Sequence, residues 1–493
     1  MVALPYSLSA RGRGVAALGA VAGAIVCAAV VVGAATTGRL DDLGRGFVAA
    51  TPFLLLAALL VPSALWIAAR PQRGMLALAA LVPFNGLLIL VPGKPPFIEG
   101  WKEAVLLWTL LWAAFGSFGR VKVLRERPGY LTPLLLFIGM GAVSALVLAL
   151  DGQWTRGLVG LKVGYFWMLG ASVVFLAPLT RRDRDRVVSI LMITGLFTSV
   201  LGLVQQRVPA ERLVELGYEY DVNIRFTGGF VRSISSFPTP FNFAFFLTLV
   251  LLIGTAVSLE DPKRPRSVGF FATSPILALA LAFTFVRGAW LALGVGLLVL
   301  AVRRYRVLLM PVPFALLGVL LLPGQFGTSA FQSESFNERT VGWGQNLDEL
   351  LNAPFGRGLG TTGASAEKLA DVAGLKFADV YQPDNQYFKV VYEIGVPGLW
   401  IFVLLFVAMI LTIRRLEPRL SGDDLGLALG FGASIVGAMA ASLVATWLEI
   451  FPNDFYLWFL LAVIVTATDS RAGDPVAGDP ALPAALVPEP RGA

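Results

Sequence analysis

"FFLTLVLLIGTAV", residues 245–257, decides what kind of protein this is. It carries no charge, and the uncharged run around it extends from about 241 to 259. As a helix such a run crosses ~30 Å of hydrocarbon with every backbone group paired internally, which is what a bilayer demands. "VAALGAVAGAIVCAAVVVGAA", residues 15–35, is of the same kind. Over the whole chain of 493 residues, 56% are hydrophobic and 14% charged. A soluble protein of this size has too little interior for that much apolar surface. The fold class is therefore all-α, a polytopic integral membrane protein.

Two absences narrow the chemistry. The one cysteine, Cys27, lies inside the first apolar run, which excludes an internal disulfide, and there is no histidine. Serine–histidine triads, histidine-ligated zinc and histidine general bases are thus ruled out. A net charge of +7 invites a nucleic-acid reading, but in a membrane protein it reports topology. The first run follows Arg11 and Arg13 and is too long for a signal-peptide core, so a retained signal-anchor is expected.

Membrane helices are expected at about 15–37, 47–69, 74–92, 101–118, 130–150, 158–178, 187–205, 241–259, 269–286, 288–302, 307–323, 390–413, 425–446 and 450–468, about 14 in all within a range of 12–14. Alternating the sides collects the short basic loops together: Arg120 to Arg127, Arg181 to Arg186, Lys263 to Arg266, Arg303 to Arg306, and Arg414 to Arg419. By the positive-inside bias these are cytoplasmic, and both termini fall on that side. The opposite side receives the two long loops, 206–240 and 324–389. The expected organisation is a set of N-terminal membrane helices over 1–205, a second membrane region carrying both long loops over 206–468, and a disordered cytoplasmic tail over 469–493 rich in proline, alanine and glycine. "RTVGWGQNLDELL", 339–351, reads as a short amphipathic helix in the second loop.

Long outward loops are where function concentrates. "GRGLGTTG", 356–363, has a G-x-G-x-x-G spacing, but a dinucleotide site requires a preceding strand and a βαβ unit, so a tight glycine turn is the better account. Five arginines stand against the outward charge bias: Arg225, Arg232, Arg287, Arg339 and Arg357. Arg287 stands alone between apolar runs in "LAFTFVRGAWLALGV", 281–295. It either snorkels to lipid phosphates or belongs to an anion site. Guanidinium groups hold phosphate bidentately and never lose their charge, which suits a diphosphate. Lys162 and Arg156 are weaker candidates for the same site, Lys162 more simply as a snorkelling residue.

In "PDNQYFKVVYEIGVPG", 383–398, polar residues stand at the outward mouth of an apolar helix. Either Asp384 or Asn385 is an N-cap, or Asp384 is a general base for an attacking hydroxyl. Glu393 lies one or two turns deeper and either pairs with an arginine or orients the site. Gly395, Pro397 and Gly398 read as a packing kink.

Four stretches in this order resemble the O-antigen ligase/polymerase family: "RFTGGFVRSISSFPTPFNFAFFL", "AFTFVRGAWLAL", "ERTVGWGQNLDELLNAPFGRGLGT" and "DNQYFKVVYEIGVPGLW", spanning about 220–405. The resemblance implies a GT-C-like membrane glycosyltransferase in the bacterial cytoplasmic membrane, taking a glycan from an undecaprenyl-diphosphate donor at the outer face. The acceptor it implies is a sugar hydroxyl, on another lipid-linked repeat unit in polymerases or on a lipid-glycan in ligases. Lipopolysaccharide ligases usually have histidine-asparagine where this chain has Asp384-Asn385, and many members have proline-asparagine where it has Phe241-Asn242. The first departure favours polymerase over ligase. Catalytic roles then fall to Asp384 and Arg287, and substrate binding to Arg225, Arg232, Arg339, Arg357, Asn385 and Glu393. No cofactor, metal or nucleic-acid partner is expected, because the arginines supply the charge that a metal supplies elsewhere. Two rivals are a lipid-linked oligosaccharide flippase and a membrane scaffold. A flippase predicts two similar halves, and no internal repeat is found.

Overall fold

The computed structural model describes residues 60–91, 96–117, 128–227, 229–310, 353–373, 384–447 and 451–470. Among these the protein is mostly helical, with one two-stranded hairpin and one isolated bridge between Tyr220 and Ile224. Eight helical segments among the described residues are long and apolar enough to cross a membrane. The expected helix at 15–37, most of those at 47–69 and 307–323, the amphipathic stretch 339–351, Arg339 and the tail lie outside the described residues.

Along the chain the helices are α1 (Gln72–Leu81, continued as a 3₁₀ segment, Val82–Leu90), α2 (Trp101–Ser117), α3 (Leu131–Leu150), α4 (Trp154–Tyr165), α5 (Leu169–Leu176) and α6 (Arg181–Gln205). A short α7 (Ala210–Glu215) and the hairpin β1 (Phe226–Thr227) and β2 (Phe230–Val231) follow. Then come α8 (Pro240–Glu260), α9 (Pro265–Ala282), α10 (Arg287–Arg303), α11 (Gly363–Ala373), α12 (Gln386–Leu416), α13 (Asp423–Ala441) and α14 (Asn453–Ser470). Composition places them. The most apolar window of α8 is 89% buried, so this helix is the centre of the bundle. In α3 only 17% of that window is buried, and Leu135, Leu146 and Leu150 face outward, as on a lipid-facing rim.

Small residues let the central helices approach closely. A β-carbon on Gly426 or Gly430 of α13 would stand 2.6 Å from the Cα of Val257 or Ile253 on α8, and one on Gly437 would stand 2.2 Å from the Ala292 carbonyl oxygen of α10. Without a hydrophobic drive between helices in lipid, such backbone contact is a main source of association.

The basic end of the bundle is neutralised from within. Arg184 makes a bidentate pair with Asp424 at 2.8 and 2.9 Å and donates to the Leu179 carbonyl at 2.9 Å, with both side chains buried. Arg264 and Arg266 meet Asp185 and Asp423, Arg303 meets Glu417, and Arg304 meets Glu260. These arginines tie helix ends together. Those at the long-loop end are arranged otherwise.

Candidate functional site

The long-loop end is built on three pieces: the hairpin, the corner between α9 and α10, and the broken start of α12. The sequence suggested no strand in 206–240, yet Phe226 pairs with Val231 and Thr227 with Phe230, and Gly229 supplies the positive φ (83°) that the reversal needs. The hairpin is sewn to the α9–α10 corner. Ser233 N–H donates to the Phe283 carbonyl at 2.9 Å, and Arg232 Nε donates to the Thr284 carbonyl at 2.9 Å. Phe285 in that corner has φ 52° and stacks on Phe230.

This stitching gathers the cations. Arg225 and Arg232 both lie over the ring of Phe241, at 5.6 and 4.9 Å from its centre. Arg232 is bound to a carbonyl three residues before Arg287, the first residue of α10, which is half-buried. Among the described residues, Arg225 Nε is buried without a hydrogen-bond partner. A buried guanidinium N–H of that kind is costly unless something occupies it.

The start of α12 stands beside this group. Asn385 is the N-cap: its Oδ1 accepts from the N–H of Tyr387 at 2.9 Å and of Phe388 at 3.1 Å, and its Nδ2 donates to the Leu443 carbonyl at 3.1 Å. Asp384 lies just outside the helix and is exposed. Between the two caps named by the sequence, the backbone thus selects Asn385. Gln386 N–H donates to the Ser442 carbonyl at 2.8 Å. A β-carbon on Gly288, next to Arg287, would stand 3.4 Å from Val444 and 3.7 Å from Ala445. The starts of α10 and α12 therefore rest on one segment, 442–445.

The helix breaks at Gly395 (φ 75°, ψ −178°), with Pro397 two residues on. The break frees carbonyls that the long loop before α12 satisfies. Arg357 N–H donates to the Tyr392 carbonyl at 2.7 Å and Gly358 N–H to that of Glu393 at 3.0 Å, while Val396 N–H donates back to Pro354 at 2.9 Å. Glu393, buried, accepts from the Gly360 N–H at 3.0 Å and from Lys389 Nζ at 2.8 Å. Its partner is not the expected arginine but a lysine one turn away on its own helix, and through Gly360 it clamps the loop. The Arg357 guanidinium lies over Tyr392, 5.1 Å from the ring centre. Gly356, Gly358, Gly360 and Gly363 all have positive φ, and the loop runs directly into α11. It is a glycine turn that allows close packing, with no βαβ unit among the described residues.

Other residues separate from these. Lys162 Nζ lies 3.2 Å from Glu103, and Arg156 donates to Gln153 at 2.6 Å. Sequence reasoning passed over Lys389, whose signal was its i,i+4 spacing to Glu393, and Lys102, next to Trp101 at the start of α2. Among the described residues, no three of histidine, cysteine, aspartate or glutamate gather as a metal-holding group.

No curated protein matches the chain. A family model does, over α10, the long loop and the broken start of α12, including Arg287, Arg339, Arg357, Asp384, Asn385 and Glu393 but not the hairpin arginines. Over residues 272–403 this multi-pass membrane protein carries the domain of the O-antigen ligase family.

Proposed function

We propose that the protein is a membrane glycosyltransferase of the bacterial cytoplasmic membrane that moves a glycan from undecaprenyl diphosphate to a sugar hydroxyl at the outer face, polymerising surface-polysaccharide repeat units. The observation that carries this reading is the grouping of Arg225 and Arg232 on Phe241, with a buried, unspent Arg225 N–H, at the corner that opens into Arg287. The basic loops lie on the cytoplasmic side with both termini, and this corner faces outward.

The isoprenoid lies among the helices and leaves its diphosphate at the level of Arg287. Arg287, Arg225 and Arg232, with Arg357 and Arg339 from the long loop, hold it and neutralise the charge that develops as the anomeric carbon–oxygen bond breaks. The acceptor hydroxyl oxygen forms the new bond to that carbon from the opposite face, and its proton passes to Asp384. The diphosphate departs as the anion and the anomeric centre inverts. No metal is required for this charge balance. Asn385 caps the helix behind Asp384, and Glu393 acts from below by fixing Gly360 and so the loop that carries Arg357.

A ligase differs only in its acceptor, a lipid-glycan in place of a second repeat unit. The test is mass spectrometry of undecaprenyl-diphosphate glycans from cells lacking the protein, combined with a membrane-impermeant periodate label. Single repeat units exposed on the outer face are the expected result. Long polymers still on the lipid would make the protein a ligase. Single units trapped on the inner face would make it a flippase and overturn the enzyme reading.

A further inference from the structure

The hairpin register sets two like charges face to face. Phe226 stands opposite Val231 and Thr227 opposite Phe230. One step back along both strands, Arg225 stands opposite Arg232, whose N–H donates to the Arg225 carbonyl at 2.8 Å. Residues directly opposite in an antiparallel pair share a face, with β-carbons about 4.5–5.5 Å apart, and like charges there repel. Neither arginine turns away from the other's partner, because both guanidiniums lie over the one ring of Phe241. Phe241 is the second residue of α8, a helix of 21 residues, so the positive end of that helix dipole lies beside them as well.

The ring is held from both sides. Pro240 opens the helix before it, and the Thr239 hydroxyl accepts from the Asn242 N–H at 3.5 Å and donates to Asn242 Oδ1. Asn242 Nδ2 donates in turn to the Phe451 carbonyl. The first turn of α8 is thus tied to the chain that precedes α14, and Phe241 is fixed within it. The arginines come to that ring from a different element, with Arg232 also held at its Nε by the Thr284 carbonyl.

An aromatic partner differs from a carboxylate in what it leaves over. The face of the ring attracts a cation through its quadrupole, but it carries no net charge and accepts no ordinary hydrogen bond. At the basic end of the bundle, Asp424 consumes the charge and the N–H groups of Arg184. On Phe241 the guanidiniums are placed without being neutralised, and Arg225 Nε is buried with no hydrogen-bond partner among the described residues. Each guanidinium is a planar fork that matches one phosphate. Two forks fixed on one ring match two linked phosphates, whereas a single phosphate occupies one fork and leaves the other's repulsion unrelieved.

We infer that Phe241 is a positioning residue that holds Arg225 and Arg232 as a paired clamp, and so makes the site select a diphosphate over a monophosphate. It rests on the reading of this corner as the donor's diphosphate site. The test is calorimetric titration of the full chain in phosphatidylcholine nanodiscs with farnesyl diphosphate and with farnesyl monophosphate. The wild type should prefer the diphosphate by at least tenfold. Phe241→Leu keeps apolar bulk without the ring and should lower that preference by about tenfold, whereas Phe241→Tyr should keep it. Fluorinated phenylalanines at position 241 keep the ring's shape while draining its negative face, and the preference should fall as fluorine is added. In an Arg225→Gln background, Phe241→Leu should have no further effect. Equal binding of the two ligands by the wild type would overturn the inference. So would a preference that survives both Phe241→Leu and fluorination, or one that Phe241→Tyr loses as fully as Phe241→Leu, which would make the ring packing alone. A ring-dependent preference in a protein that transfers no glycan would uphold the clamp and sink the transferase. Glycan transfer from the extracted lipid-linked unit, with a preference indifferent to the ring, would do the reverse.

Discussion

Gly356 and Gly395 lie back to back. A β-carbon on Gly356 would stand 2.6 Å from the Gly395 nitrogen, and one on Gly395 would stand 2.5 Å from the Phe355 carbonyl carbon. Both residues have positive φ, at 81° and 75°. The loop around Gly356 thus sits against the break in α12 at backbone distance, and any side chain between them separates the two.

Gly395→Ala should therefore combine left-handed strain of about 1–3 kcal/mol with a backbone clash. The expected outcome is a lower melting temperature in nanodiscs together with loss of glycan transfer, since Arg357 moves with the loop. Gly294→Ala is the comparison. A β-carbon there meets nothing within 4 Å and lies inside α10, so it should leave transfer intact and raise stability by about 0.5–1 kcal/mol.

Lys389 and Glu393 are both buried and 2.8 Å apart. Removing one partner strands the other's charge, so Lys389→Met should cost about 3–5 kcal/mol of stability. The double variant Lys389→Met/Glu393→Gln keeps an acceptor for the Gly360 N–H and should recover most of that loss. Thermal unfolding of the single and double variants measures the coupling, and additive losses would exclude it.

Asp384 and Asn385 should part company in kinetics and stability. Asn385→Ala removes the acceptor of two helix-start amides and should destabilise by about 0.5–2 kcal/mol, with Asn385→Ser recovering much of it. Asp384→Asn should leave the melting temperature unchanged and lower kcat by about 10²–10⁴. A melting temperature that falls with Asp384→Asn while kcat holds would make Asp384 structural.

Arg287 and Arg184 offer a similar contrast between the two ends of the bundle. Arg287→Ala should lower kcat by about 10²–10³ while the protein inserts and melts normally. Arg287→Lys should recover little, because the guanidinium fork is lost. Arg184→Met, by stranding buried Asp424, should cost about 3–5 kcal/mol, and Arg184→Met/Asp424→Leu should restore most of it. Full transfer by Arg287→Ala would remove that residue from the reaction.

The membrane class and the positions of the described helices were legible in the sequence, because crossing hydrocarbon is a local demand. An uncharged run such as 240–260 meets it residue by residue whatever lies beside it, and capping signals such as Thr239 with Pro240 mark where it begins. The arginines that break the charge bias were visible for the same reason, as was the kink at Gly395. Partnership was not visible. Arg184 finds its carboxylate 240 residues away at Asp424, while Arg225 and Arg232 find a phenylalanine ring and Arg232 a carbonyl of another corner. Which arginine is consumed in a pair and which keeps an unspent N–H depends on what the folded chain places beside it, since a few ångströms decide a charge's interaction. The choice of Asn385 over Asp384 as cap turned on one extended backbone conformation (φ −157°, ψ 118°), and the meeting of Lys102 with Phe451 on helix packing. Hydropathy is written along the chain, but proximity between distant residues is created only when the helices close on one another.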